Sequence, residues 1–435
     1  MAFINSYSAV TTKTELDIFA TPPTQTSVES GSVQCFRPIS SLSDESPIEF
    51  LVPGHGDEYI DLAHTTLHLL VKILQRNESG DSGSSTTTTT GPVNNWMHSI
   101  FQQVIISLNQ KCITPPSNCY NYRSYIENLL NYGSDAKKSH LTSAMWYKDT
   151  AGHMDNVDEN NKGFIKRTEI TSNEQIVELY GNLHCDLFNQ DKYLINGVEM
   201  NIRLVKSANE FHLMGRDGKL QILDATLYVR KIKINPSILI AHARALGAST
   251  AKYPITRVDI KTITIPKDIQ SKSLDNLYLG QLPKRCIIGF VSSKAFNGDI
   301  NLNPFNFTHF NHNFLALYMD SVQIPSKPLT PNYAKKLYTR SYHSIFSGSG
   351  IHFSDHGNSI SLEEYPDGYC LAAFDLTSDL SSHESHWNII RSGSLRVEIR
   401  FDKPLAETIT AIVFSEFNNI IEIDKNRNII LDYNS

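Results

Sequence analysis

The sequence lacks most of the signatures that announce a function. No apolar run approaches the roughly 20 residues a membrane span requires. The first ten residues, MAFINSYSAV, have neither the basic nor the apolar region of a secretion signal. Synthesis in the cytosol is therefore expected, and the sequons at Asn77 and Asn306 carry little weight. There is no CxxC pair, which argues against a zinc ribbon. The six cysteines (Cys35, Cys112, Cys119, Cys185, Cys286 and Cys370) are scattered and are read as reduced thiols, although a bridge between Cys112 and Cys119 would close a short loop. Phosphate-binding and dinucleotide fingerprints are missing, and Ser347-Gly348-Ser349-Gly350 is not a nucleophile elbow. Positive charge is scarce: the net charge is −6, and "RKIK" and "AKKLYTR" are short. Specific nucleic-acid binding is not expected from such a distribution.

What is present is a long chain rich in strand formers. Its 435 residues exceed one ordinary core. The 20 Phe and 19 Tyr, with many Ile, Val and Thr, favour sheets. Residues 1–46 are polar and aperiodic and read as an N-terminal arm, with Leu16, Ile18 and Phe19 as an apolar anchor beside the helix-forbidding Pro22-Pro23. From Ile48 short apolar runs alternate with turn signals: "IEFLVP", "TLHLLVKIL", "FQQVIISLNQKCI", "QIVELYGNL", "VEMNIRLV" and "KLQILDATLYVRKIKI". Inward residues switch from even (Ile60, Leu62) to odd positions (Leu67, Leu69, Val71, Ile73), which predicts a β-bulge near Ala63–Thr65. "CYNYRSYIENLLNYG" predicts a helix with Tyr122, Tyr125, Ile126, Leu129 and Leu130 on one face and Gly133 as its stop. Residues 80–92 read as a low-complexity loop, and the polar stretch 134–174 as a long surface loop. "NPSILIAHARALG" has a cap, an early proline and a closing glycine, so residues 235–250 read as a linker helix. Strands then resume to the C-terminus. The expected organisation is an arm (1–46), a first sandwich (47–234), the linker helix (235–250) and a second sandwich (251–435).

Three colinear matches suggest an internal duplication. "IEFLVP" ends at Pro53 and "KTITIP" at Pro266. The hairpins "VIISLNQKCI" and "LALYMDSVQI" turn at Asn109 and Asp320, and each leads through a proline-rich spacer into a tyrosine-rich helix. "GVEMNIRLVK" answers "SLRVEIRFDK". A two-fold repeat of many short strands predicts two similar all-β sandwiches of about eight strands each.

The residues with chemical potential have plainer readings beside them. His55-x-Asp57, in "PGHGDEYIDLAH", fits half of a non-haem iron site in a jelly-roll metal-dependent oxygenase. Yet His55 stands between two glycines after a proline, which is turn chemistry, and "KDIQSKSLDN" after Pro266 has no histidine. His64 and His68 share one face of a strand, a pattern commoner at a solvent face than in a metal site. His309 and His312, and His383 and His386, fall in loop-like sequence; His383-Glu384-Ser385-His386 is one residue short of a zincin motif. A carbohydrate-binding ectodomain of the same fold would call for a secretion signal and disulfides.

Long stretches carry a resemblance. "TELDIFATPPTQTSVES", "SPIEFLVPGHGDEYIDLAHT", "NLLNYGSDAKKSHLTSAMWYKDTAGHMD", "HCDLFNQDKYLINGVEMNIRLVK", "NPFNFTHFNHNFLALYMD" and "SEFNNIIEIDKNRNIILDY" resemble the major capsid protein of Polinton (Maverick) transposable elements and adintoviruses. The resemblance spans nearly the whole chain; the threonine run at 86–90 has no counterpart in it. It implies two tandem eight-stranded jelly rolls, a double jelly roll with short helices in its loops, and a structural role without catalysis or cofactor. It further implies homotrimers that form pseudo-hexagonal capsomers, neighbouring capsomers and a penton protein as partners, and an icosahedral virion shell. Synthesis would be in the host cytoplasm, with cytoplasm or nucleus as the site of assembly. On this reading Leu16, Ile18, Phe19, His55 and Asp57 are candidate assembly contacts.

Overall fold

The computed structural model describes residues 5–42, 46–54, 56–75, 90–115 and 117–433. The low-complexity stretch up to residue 89 and His55 lie outside the described residues.

The two main sheets of the first half use eight strands: β1 (Val28–Phe36), β2 (Ile48–Val52), β3 (Glu58–Gln75), β4 (Phe101–Leu108), β5 (Lys111–Cys112), β6 (Val177–Asn182), β7 (Met200–Lys206) and β8 (Gly218–Ile234). They pair antiparallel in two sheets, ordered β1-β8-β3-β6 and β2-β7-β4-β5. The second half repeats this with β9 (Ala251–Ile265), β10 (Ser271–Gln281), β11 (Arg285–Ser292), β12 (His312–Met319), β13 (Val322–Leu329), β14 (Leu371–Asp375), β15 (Ser392–Phe401) and β16 (Ile409–Ile423). Its sheets run β9-β16-β11-β14 and β10-β15-β12-β13, with a short β17 (Ile429–Leu431) added to β16. In both halves the first strand pairs the eighth and the second pairs the seventh. That interleaving is the jelly roll, and the chain is a double jelly roll.

The strands form where side-chain alternation can be buried. In β3, Leu67, Leu69, Val71 and Ile73 face the core, as Ile60 and Leu62 do before them. Asp61 pairs with Arg230 and Thr66 with Tyr228, so four residues oppose one and the expected bulge absorbs the change of parity. The two hairpins β4–β5 and β12–β13 turn alike. Asn109-Gln110 have φ of 44° and 67°, and Asp320-Ser321 have 47° and 70°. Both pairs occupy the left-handed region that tight hairpins demand. Each leading side chain also accepts a bond from the seventh strand's edge: Asn109 from the Glu199 amide and Asp320 from the Ser394 amide, both at 2.8 Å.

Four sequence readings of strands and loops change. Val28–Phe36, taken with the arm, is the first strand of the first roll and pairs with β8. The match of Pro53 to Pro266 is therefore slipped by one strand: "IEFLVP" is a second strand, whereas "KTITIP" closes a first strand. The hairpin match and the match of β7 to β15 hold. The segment after Pro266, read as a turn, contains β10, a strand whose residues are mostly exposed. Finally, 134–174 is not a surface loop. It contains short helices and α2 (Lys162–Thr171), and it buries Trp146, Met154, Asn161, Phe164 and Arg167.

Three more helices matter. Helix α1 (Tyr120–Asn131) follows β5 and is buried on every side from Tyr120 to Leu130, not on one face alone. Helix α3 (Pro236–Ala248) connects the rolls, capped by Asn235, whose side chain accepts from the Ser237 amide at 2.9 Å. Helix α4 (Thr339–Ser347) follows β13 in the chain as α1 follows β5. The apolar residues form one core within each roll and a third core between them.

Candidate functional site

The densest chemistry in the molecule lies in that third core, where the two rolls meet. The Tyr125 ring, from α1, stacks on Phe305 of the second roll with centroids 4.2 Å apart and planes 3° apart. Tyr122 donates its hydroxyl to the Pro304 carbonyl at 3.0 Å. Such parallel ring stacking adds to the free energy of burial.

Polar groups complete the joint. Arg167 and Asp149, both fully buried, pair at 2.6 Å, and Arg167 Nε also donates to the Pro92 carbonyl. The other Asp149 oxygen accepts from Asn303 Nδ2 at 3.0 Å, and the Asp149 carbonyl accepts from the Tyr369 hydroxyl at 2.6 Å. Asp155 receives the Asn303 amide and the Asn306 side chain, each at 2.7 Å; burial nevertheless raises its pKa. A second network surrounds Arg123, which pairs with Asp186 at 2.7 Å and Glu127 at 2.9 Å. Asp186 also accepts from the Val258 amide, and His184 contacts Glu127 at 2.6 Å. Burial pushes the Glu127 carboxyl up, but Arg123 and His184 outweigh it and hold the pKa at about 2. Lys137 reaches the carbonyls of Leu129 and Asn358 at 2.7 and 2.6 Å, tying the segment after α1 to the second roll. Burial, helped by Lys148, pulls its ammonium down to about 7. The acids and bases here face one another, and what the arrangement does is lock two sandwiches in one relative position.

The histidine motifs are placed as follows. His64 pairs with Asp61 at 2.9 Å and is mostly exposed, and His68 meets Glu178 at 2.8 Å on the outer face of its sheet. His309 stacks on Tyr333 at 4.0 Å. His312 begins β12 instead of lying in a loop; burial lowers its pKa to about 4, and Tyr333 meets its ring at 3.2 Å. His386 contacts Asp379 at 3.1 Å in a surface loop, while His383 lies against Glu384 at 3.5 Å. Among the described residues no group of three or more His, Cys, Asp or Glu is placed to hold a metal ion. The six thiols are free.

Of the candidate assembly contacts, Leu16, Ile18 and Phe19 are 72, 76 and 94% exposed, in an arm whose hydrogen bonds up to Asp17 are local. Asp57 is exposed in the turn ahead of β3, far along the chain from the arm. Sequence reading missed two surfaces. Helix α3 has no buried residue although Ile238, Leu239, Ile240 and Leu246 populate it. The loop after β14 exposes Leu380, Trp387, Ile389 and Ile390. The signal for α3 was legible: a short helix apolar all round is an ill fit to a mere linker.

No protein-family model matches the chain. An uncharacterised protein of Caenorhabditis elegans is 23% identical over 425 residues, covering 94% of this chain and 99% of that protein. Among solved structures, a chain of the Sputnik virophage superposes with a TM-score of 0.66 at 10% identity, covering 99% of this chain and 94% of that one. The fold is that of viral double jelly-roll capsid proteins. The Faustovirus major capsid protein agrees at a TM-score of 0.57 and 7% identity, with 94% and 92% covered. A chain of the PBCV-1 virus capsid agrees at 0.55 and 9%, with 96% and 100% covered. No described helix is long and apolar enough to cross a membrane.

Proposed function

We propose that this chain is a structural major capsid protein of the Polinton (Maverick) and adintovirus kind, and not an enzyme. The observation that carries this reading is the joint between the rolls. Two complete jelly rolls are fused through a shared aromatic and ion-paired core, which makes one rigid block with two similar faces. Three such blocks around an axis present six sandwiches, a pseudo-hexagonal capsomer able to tile an icosahedral shell with neighbouring capsomers and a penton protein at the vertices. Assembly contacts would come from surfaces that the single chain leaves open: the arm with Leu16, Ile18 and Phe19, and the turn with Asp57. The virion is then its location, reached after synthesis in the host cytoplasm.

Light scattering and electron microscopy of the purified protein test the reading. A trimer of about 147 kDa, three times the 49.0 kDa chain, or closed shells, is the expected result. A monomer that carries stoichiometric iron would favour the oxygenase reading of His55 and Asp57 and overturn this one.

A further inference from the structure

The apolar helix α3 and the N-terminal arm are complementary, and their meeting point is built into the surface. A groove of about 550 Å³ runs along α3. Its floor and walls include Ile195, Ile234, Ile238, Leu246 and Tyr253, with His242 on the helix side. Tyr59 closes one wall, its hydroxyl 3.0 Å from His242 Nδ1 and the two rings stacked. Lys192 and Lys252 stand at the rim beside one acid, Asp191, and Arg244 lies on the same helix, so the basic groups outnumber the acid. An exposed apolar groove rimmed by charge is an interaction surface.

The arm has the matching chemistry. In Glu15-Leu16-Asp17-Ile18-Phe19, acidic and apolar residues alternate before a terminal aromatic, and all are exposed. Leu16, Ile18 and Phe19 suit the apolar floor, while Glu15 and Asp17 suit the lysine rim. The geometry also says whose arm it is. Ser27 and Val28, where the arm joins β1, line the groove itself. Between Phe19 and Val28 stands Pro22-Pro23, which holds itself and the residue before it extended. The nine residues from Phe19 to Val28 span at most about 30 Å, so the arm can reach well beyond the groove beside its root. In the single chain Leu16, Ile18 and Phe19 are exposed and do not line that groove.

We infer that the Leu16–Phe19 segment of one copy docks in the α3 groove of a second copy, so that each subunit both gives and receives an arm. This rests on the self-assembling reading above and adds to it the route of one contact. Tethering raises the effective concentration of the arm once neighbours are in place, so a short motif suffices.

Site-directed crosslinking tests it. In a Cys35→Ser background, which removes the exposed native thiol, Phe19→Cys and Leu246→Cys are made separately, with tags of different size, and co-assembled under mild oxidation. The inference expects a disulfide-linked heterodimer between the two tagged chains, lost in each single-variant sample. It also expects Phe19→Asp to lower assembly by tenfold or more while the thermal unfolding midpoint of the single chain stays unchanged. Assembled protein with no heterodimer, or a double variant that crosslinks only within one chain, overturns the inference and leaves the capsid reading standing. A chain that stays monomeric at every concentration overturns both.

Discussion

The two jelly rolls share strand order and hairpin chemistry but differ in what they insert between the fifth and sixth strands. The first roll sends out residues 113–176, which contain α1 and α2; the second sends out a shorter segment, 330–370, which contains α4. In the first, Arg167, Asp149, Asn161 and Arg123 are buried and paired. In the second, α4 buries Ser341, Ser344 and Ile345 and leaves its other side towards solvent. The shorter excursion lays amphipathic α4 over a sheet and answers the longer one across the joint through Asn358 and Tyr369. The longer one lies between the rolls and carries Arg167, Asp149 and Arg123 of the buried ion pairs. Duplicated sheets can thus stay alike while one loop takes on the task of joining them.

Four measurements would break or sharpen this contrast. Arg167→Met leaves Asp149 buried without its partner and should cost about 3–5 kcal/mol, read as a lower urea midpoint. Arg340→Met in the second excursion, where the exposed guanidinium bonds the Lys327 and Pro328 carbonyls, should stay within about 1 kcal/mol. Equal losses would erase the distinction between the excursions.

The next effect depends on pH. Lys137 has a folded pKa of about 7, below the ordinary lysine value of 10.5. Between those values the unfolded chain holds a proton that the folded chain does not. Stability therefore rises with pH across this window, by at most about 1.4 kcal/mol per unit, and below pH 7 the full burden of the buried charge is present. Urea midpoints from pH 6.5 to 9.5 should climb in the native chain and flatten in Lys137→Met. A native profile that is already flat would mean that the two carbonyls at 2.7 and 2.6 Å keep the ammonium charged.

The hairpins should respond alike at the seventh strand's edge. Asn109→Ala and Asp320→Ala each lose that bond and place alanine at positive φ, at a cost of about 1–2 kcal/mol apiece, and Asn109→Ala also loses its bond to the Arg427 carbonyl. A difference above about 1 kcal/mol between them would show that the rolls have diverged at this turn. The smallest effect lies in α3. Gly247 is near the end of the helix with open space around its Cβ position. Gly247→Ala should stabilise the isolated chain by about 0.5–1 kcal/mol, seen as a rise in melting temperature.

Much of the architecture was legible because it is local. The alternation in β3, the change of parity that forces its bulge, and the Asn109 and Asp320 turns are all written in short windows. Where reading failed, the deciding partner was distant. β1 has the burial of an edge strand, with six of its nine residues exposed and none buried, so nothing in "VESGSVQCF" marks it as paired. β10 is polar for the same reason. Missing β1 is what slipped the Pro53 match by one strand and made "KDIQSKSLDN" look like the counterpart of "PGHGDEYIDLAH". The misreading of 134–174 has another cause. Polar residues usually signal solvent, and here Arg167, Asp149 and Asn161 are buried against each other and against Pro92, Tyr147 and Asn303.

The amino-acid order alone specifies two sandwiches, because period-two burial and turn residues act within a few positions of each other. How the sandwiches sit together is decided only in three dimensions. Asp149 and Asn303, or Tyr125 and Phe305, are separated by more than a hundred residues. Their pairing satisfies charge and ring geometry that neither partner reveals by itself. The same holds for α3: its apolar surface is visible in the sequence, but its position beside the root of the arm comes from the closure of β1 onto β8.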